Sequence, residues 1–193
     1  MDNVRSATPG QVRRSPSVPA HWPIRRHVAA AETTPAGPLH SVEVTVPAKT
    51  NLTLHVGPAH EEWGGRHALD TIYCAIGVND VVTATAKTPG SGFSLELSGE
   101  HLGDLTSSGS DMRRNHAVLA LFAIARAAGR EPDVALHVDK HIPVGAGLGG
   151  GSADAAATLL AVNTLWGLHW PIERLRDIAA TLGADMPFCL EGG

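Results

Sequence analysis

Residues 143–157 read Pro-Val-Gly-Ala-Gly-Leu-Gly-Gly-Gly-Ser-Ala-Asp-Ala-Ala-Ala, and five of the seven positions from 145 to 151 are glycine. Lacking a Cβ, glycine lets backbone N–H groups come close to a ligand and lets φ turn positive. The run opens into an Ala-rich segment of helical character. The first turn of that helix would aim its unpaired N–H groups, and the positive end of its dipole, at whatever the loop holds. That is the chemistry of an anion site, with phosphate as the usual occupant. No lysine follows the glycines, so the run is not a Gly-Lys-Ser/Thr phosphate loop. Gly145-Ala-Gly-Leu-Gly-Gly150 imitates a dinucleotide fingerprint, but its spacing is imperfect and no acidic residue stands on a following strand about twenty residues on. Ser152 is placed either to cap the helix or to reach a phosphate or Mg2+. Asp154 reads as favourable charge in the first helical turn.

The elements around the loop follow from hydrophobic spacing. Val134–Val138 alternates as a strand leading in, and a helix runs out from about Ser152 to Trp166. Upstream, 41–46 and 51–56 alternate at period two, either as two strands or as one strand continuing past a bend at Pro47. Residues 80–86 and 93–97 are further strands, and the Thr-Pro-Gly-Ser-Gly run at 88–92 predicts that they pair as a hairpin. Residues 116–128 have a broad apolar helical face, with Asn115 placed to cap it and Gly129 to end it. Another helix opens at Pro171 and closes at Gly183. The order, strands first and helices later, predicts a mixed layer of α and β elements.

Composition narrows the class. With 193 residues, the length suits one domain plus a tail. The 43% hydrophobic and 18% charged content is ordinary for a soluble globular protein. A formal net charge of −4 gives no basic character for nucleic acid. Residues 1–38 differ: five arginines stand against Asp2 and Glu32, prolines recur, and no apolar period is sustained. This stretch is expected to be a disordered tail. Its prolines oppose the amphipathic helix of a transit peptide. No run approaches the ~18–20 apolar residues of a membrane span. Cys74 and Cys189 read as small buried side chains rather than a disulfide framework. The nearest thing to a metal set, His55 and His60 with Glu61 and Glu62, reads as a solvated charged loop. These features fit a cytoplasmic location, with neither a nucleic-acid nor a membrane partner.

The glycine loop with its leading Pro143 resembles the phosphate-binding motif of the GHMP kinase superfamily. Val46-Pro-Ala-Lys-Thr-Asn-Leu-Thr-Leu-His55 resembles that family's first motif. Leu182-Gly-Ala-Asp-Met-Pro-Phe-Cys189 resembles a segment typical of one member, which phosphorylates a cytidyl diphosphate sugar alcohol in the non-mevalonate isoprenoid pathway. The three stand in the family's order, and the similarity runs from about Val42 to the end of the chain.

The resemblance implies an α+β fold of the ribosomal protein S5 domain 2-like type, a mixed sheet with helices packed on one side, forming an ATP-binding domain over residues 39–193. It implies ATP and Mg2+, with direct in-line transfer to a hydroxyl. Pro143, Gly145, Gly147, Leu148, Gly149, Gly150, Gly151 and Ser152 would hold the nucleotide phosphates. From the residues alone Asp185 is a turn residue and Lys49 a solvated lysine; the resemblance makes both catalytic. A carboxylate at the acceptor hydroxyl takes its proton, an effect worth roughly 10²–10⁴ in rate. An adjacent ammonium keeps that carboxylate ionised and offsets charge on the transferring group. Asn51 would hold substrate hydroxyls and His67 the cytosine. Arg66 stands where the family usually has tyrosine, and its planar guanidinium would stack on the base. The family continues beyond the position of Gly192-Gly193 with a C-terminal domain, so the chain is expected to be truncated after its N-terminal domain. Two alternatives remain open here: another small-molecule kinase of the family, and a nucleotide-binding fragment without turnover.

Overall fold

The computed structural model describes residues 24–27, 40–100, 102 and 112–192. Five strands, β1 (Ile24–His27), β2 (Ser41–His60), β3 (Arg66–Ala86), β4 (Ser94–Gly99) and β5 (Val134–Lys140), form one sheet in the order β1-β2-β3-β5-β4. Four helices follow the first strands: α1 (His116–Ala128), α2 (Gly150–Leu165), α3 (Ile172–Leu182) and α4 (Met186–Glu191).

Alternation along the strands divides the sheet into two faces. Val42, Val44, Val46 and Ala48 of β2 are fully buried, as are Val82 and Ala84 of β3, with Val134, Leu136 and Val138 of β5 beside them. The residues between them on each strand point away from the helices. The apolar face packs on α1 and α2. Helix α2 is buried almost all round, because Ala153, Ala155, Ala156 and Ala157 let it press between the sheet and its helical neighbours. Each fully buried Leu, Ile or Val contributes roughly 1.5–3 kcal/mol over leaving it exposed. This is the α+β arrangement expected, a mixed sheet with helices on one side.

Local signals hold well. Helix α1 spans 116–128, the Asn115 side chain accepts from Ala117 N–H at 2.9 Å, and Gly129 ends it at φ 61°. Helix α2 begins two residues before the expected Ser152, with Gly149 rather than Ser152 at its N-cap. Pro171 lies at the N-cap of α3 instead of inside its first turn. Gly183 follows α3 in extended backbone, at φ −176°, so its glycine character is not what ends the helix. Residues 41–60 are one strand, with a bulge between Pro47 and Ala48. Cys74 is half-buried and Cys189 buried, both as free thiols.

Two expectations fail. Strands β3 and β4 do not pair: β5 lies between them, antiparallel to β3 and parallel to β4. The turn at 88–92 exists, but the Asp133 carboxylate accepts from Gly90 N–H at 2.9 Å and Gly92 N–H at 2.7 Å. That anchors the turn to the start of β5 and turns β4 away from its predecessor. The second concerns the tail. Ile24–His27 is a strand, pairing antiparallel with β2 from Ile24 opposite Val44 to His27 opposite Ser41. The outer edge of β2 offers unpaired N–H and C=O groups that an extended segment satisfies whatever its side chains. The rest of residues 1–38 lies outside the described residues. Among those, no helix is long and apolar enough to cross a membrane.

Candidate active site

The glycine loop spans the gap between β5 and α2. Gly145, Gly147 and Gly149 all have positive φ, at 76°, 76° and 72°, a region costly to any residue with a Cβ. The first helical hydrogen bond of α2 runs from Ala153 N–H to Gly149 C=O at 2.9 Å. The N–H groups of 150–152 precede it and lack helical partners. Residues 143–151 wall a cavity of about 280 Å³, completed by Arg114, Asn115, His116, Lys140 and Asp154. Every loop residue expected to bind phosphate lies in that wall except Ser152, which is half-buried and does not line it.

Beneath the loop lies a buried charge network that sequence reading missed. Lys140 bonds both Asp80 and Asp154, the latter at 2.8 Å. Asp80 also accepts from the N–H groups of His141 at 2.6 Å and Ile142 at 2.8 Å, where the chain leaves β5 for the loop. The network therefore ties the entrance of the loop to its exit at α2. Burial opposes charge on Lys140, and the two carboxylates outweigh it, holding its pKa above the ordinary lysine value. Burial pushes the Asp154 carboxyl up to about 7, against the pull of Lys140. Its Oδ1 atom has no hydrogen-bond partner. Asp154, expected as favourable charge in the first helical turn, is a buried ion-pair partner of Lys140.

The second half of the site joins β2, β3 and α4. Lys49 Nζ lies 3.2 Å from Asp185 Oδ2; the lysine side chain is 8% exposed and the aspartate 31%. Lys49 also donates to Asn51 Oδ1 at 2.9 Å, and Asn51 donates to Thr71 Oγ1 at 2.7 Å. Tyr73, directly opposite Asn51 on β3, donates its hydroxyl to Asp185 Oδ1 at 2.8 Å and stacks on Phe188 of α4. Burial, then the hydrogen bond to Asp185 and its negative charge, push the Tyr73 phenol up to about 12, so it remains a donor. Tyr73 was missed although it is the only tyrosine in the chain; its place opposite Asn51 is the signal that finds it.

The two halves meet at Lys49. Its N–H donates to Leu148 C=O at 2.9 Å, and its side chain crosses the loop where a Cβ on Gly149 would fall 2.8 Å from Cγ. Lys49, Asp185, Asn51 and the glycine loop are therefore brought together. Arg66 and His67 stand apart, at the tip of the β2–β3 hairpin. His67 is six residues before Tyr73 along β3, roughly 20 Å at about 3.3 Å per residue. The His67 Nδ1–H donates to Gly57 C=O at 2.8 Å. Arg66 donates to the carbonyls of Ala180 and Thr181 at the end of α3, at 3.3 and 3.5 Å, favourable partners for a cation at a helix C-terminus. Both line a cavity of about 690 Å³ with Leu69, Leu182, Gly183 and Ala184, which ends one residue short of Asp185.

Comparison with known proteins agrees with this geometry. Residues 115–193 match the family model described as the GHMP kinases N terminal domain. The chain is 76% identical over 155 residues to the 4-diphosphocytidyl-2-C-methyl-D-erythritol kinase of Bifidobacterium adolescentis, covering 80% of this chain and 50% of that protein. It is 46% identical over 156 residues to the protein of the same name from Mycobacterium tuberculosis, covering 81% and 46%. A crystal structure of 4-(cytidine 5'-diphospho)-2C-methyl-D-erythritol kinase superposes with a TM-score of 0.57 at 36% identity, over 77% of this chain and 48% of that one. A homoserine kinase from Cytophaga hutchinsonii shares the fold, with a TM-score of 0.60 at 19% identity, over 84% and 50%. The chain spans about half the length of the curated relatives it matches. Sheet topology, motif order and these matches agree: the described residues carry the fold of the GHMP kinase N-terminal domain.

Proposed function

We propose that this chain takes part in ATP-dependent phosphorylation of the 2-hydroxyl of 4-diphosphocytidyl-2-C-methyl-D-erythritol, in the non-mevalonate route to isoprenoid precursors. The observation that carries the reading is the Lys49–Asp185 ion pair, anchored to the glycine loop through Lys49 N–H and Leu148 C=O. An acid and a cation beside a phosphate cradle are the parts that phosphoryl transfer needs, since positioning and charge stabilisation do most of the work.

In this reading the phosphates of ATP lie against the N–H groups of 150–152, at the positive end of α2. Asp185 accepts the proton of the acceptor hydroxyl. Tyr73 holds one carboxylate oxygen of Asp185 and Lys49 the other, which fixes its orientation. Asn51 fixes Lys49. The cavity at Arg66 and His67 takes the cytidyl end, with His67 presenting its free Nε2 edge to the base. Among the described residues no group of three or more His, Cys, Asp or Glu is placed to hold a metal ion. Mg2+ would come with the nucleotide and would supply, beside Lys49, positive charge that offsets the transferring phosphoryl group. Residues 39–193 act as the ATP-binding unit, in the cytoplasm.

The test is ADP release by the purified chain with Mg-ATP, with and without the cytidyl substrate. Release that depends on the substrate supports the reading. ATP binding without ADP release favours a second reading, a nucleotide-binding module without turnover.

A further inference from the structure

The glycine-loop cavity has a wall that neither the motif nor the charge network accounts for. Arg114 and His116 line it from the start of α1, flanking the capping residue Asn115. His116 is exposed, so core packing does not account for its position. Its imidazole rests against the first turn of α2: a Cβ built on Gly151 would fall 2.3 Å from His116 Nδ1 and 3.2 Å from Cε1. Gly151 carries one of the three N–H groups that precede the first hydrogen bond of α2. Its φ is not in the positive region, so the backbone would accept a side chain there. A side chain at 151 would have to move the imidazole from where it stands. The positive ends of two helices, the guanidinium of Arg114 and the imidazole of His116 thus converge on one small cavity. Among the described residues, Asp154 is the only carboxylate in its wall, and Lys140 engages it.

We infer that His116 is a nucleotide-contacting residue, closing the glycine-loop cavity from the α1 side and donating a hydrogen bond to the phosphate chain, with Arg114 adding charge behind it. Gly151 is the positioning residue that lets the ring reach the phosphates. The inference rests on the ATP-binding reading above and adds to it a second wall, drawn from α1 rather than from the loop.

The experiment is calorimetric titration of the 193-residue chain with ADP, inorganic pyrophosphate and adenosine, for the natural sequence and for H116A, H116Q, G151A and the H116A/G151A double variant. The natural chain binds ADP and pyrophosphate. H116A weakens both by about tenfold, the worth of one hydrogen bond to a charged group, leaves adenosine unchanged, and does not lower the melting temperature. H116Q, which keeps a donor, recovers part of the loss. G151A displaces the ring and weakens ADP as much as H116A does, and adds no further loss in the H116A background. Unchanged ADP affinity in H116A, in a chain that binds ADP, overturns this inference alone. Loss of adenosine binding with pyrophosphate unaffected also overturns it, because the ring would then face the base. Additive losses in the double variant overturn the role of Gly151. A natural chain that binds neither ADP nor pyrophosphate overturns the ATP-binding reading, and the inference with it.

Discussion

The Tyr73 hydroxyl donates a 2.8 Å hydrogen bond to Asp185, joining β3 to the start of α4 across 112 residues of sequence. The bond occupies the oxygen of Asp185 that Lys49 does not hold. Removing only the hydroxyl, as in Y73F, leaves the ring on Phe188 and releases the carboxylate. Turnover should fall about tenfold with little change in ADP affinity, and stability should fall by about 0.5–1.5 kcal/mol. D185N removes the proposed proton acceptor and should cost roughly 10²–10⁴ in turnover, again with ADP affinity nearly unchanged. Paired ADP-release and ADP-binding measurements check both. If D185N turns over like the natural chain, Asp185 plays no part in the chemistry.

Gly149 and Gly129 are both left-handed, at φ 72° and 61°, but only Gly149 has a neighbour in the way. Alanine at either position should cost about 1–2 kcal/mol for the backbone, lowering the melting temperature by several degrees in a chain of this size. G149A must also displace the Lys49 stem. It should therefore lose turnover, whereas G129A should keep it. Equal turnover in the two variants would separate the Lys49 position from catalysis.

Asp154 gives the fold a pH dependence of predictable sign. Its carboxyl moves from 3.8 to about 7 on burial, so the folded state holds a proton that the unfolded chain releases sooner. This contribution is fully present below about pH 4 and is lost as pH rises to about 7, with a slope of at most about 1.4 kcal/mol per pH unit. Urea midpoints for the natural chain should decline across that window relative to those of D154N, which carries no such proton. Parallel profiles would show that Asp154 keeps the same charge folded and unfolded.

Legibility in the sequence followed the range of the interaction. Helix α1 was readable to the residue because its apolar face, its Asn115 cap and its Gly129 terminus all lie between positions 115 and 129. The lead of the glycine loop into the start of a helix was readable because local N–H geometry depends on residues next to one another. Pairing was not readable. Turn chemistry at 88–92 shows where the chain reverses, yet Asp133, forty positions on, decides that β4 joins β5 instead of β3. Asp80, Lys140 and Asp154 each look like ordinary surface charges, and only the fold buries them together. Lys49 and Asp185 were found by resemblance; no spacing rule links residues on β2 and at the start of α4.

Placing β5 between β3 and β4 also sets an order of events in folding. The β2–β3 hairpin is complete in sequence at Ala86, but the strand that closes its open edge begins only at Val134. At about 5–20 residues per second of synthesis, that edge waits roughly 2–10 s. During the interval the ribbon carries Leu52, Leu54, Val56 and Ile72, each still more than half exposed in the finished fold, beside unpaired backbone that any other strand is able to join. Folding of this chain is therefore a race between the arrival of its own fifth strand and the arrival of someone else's.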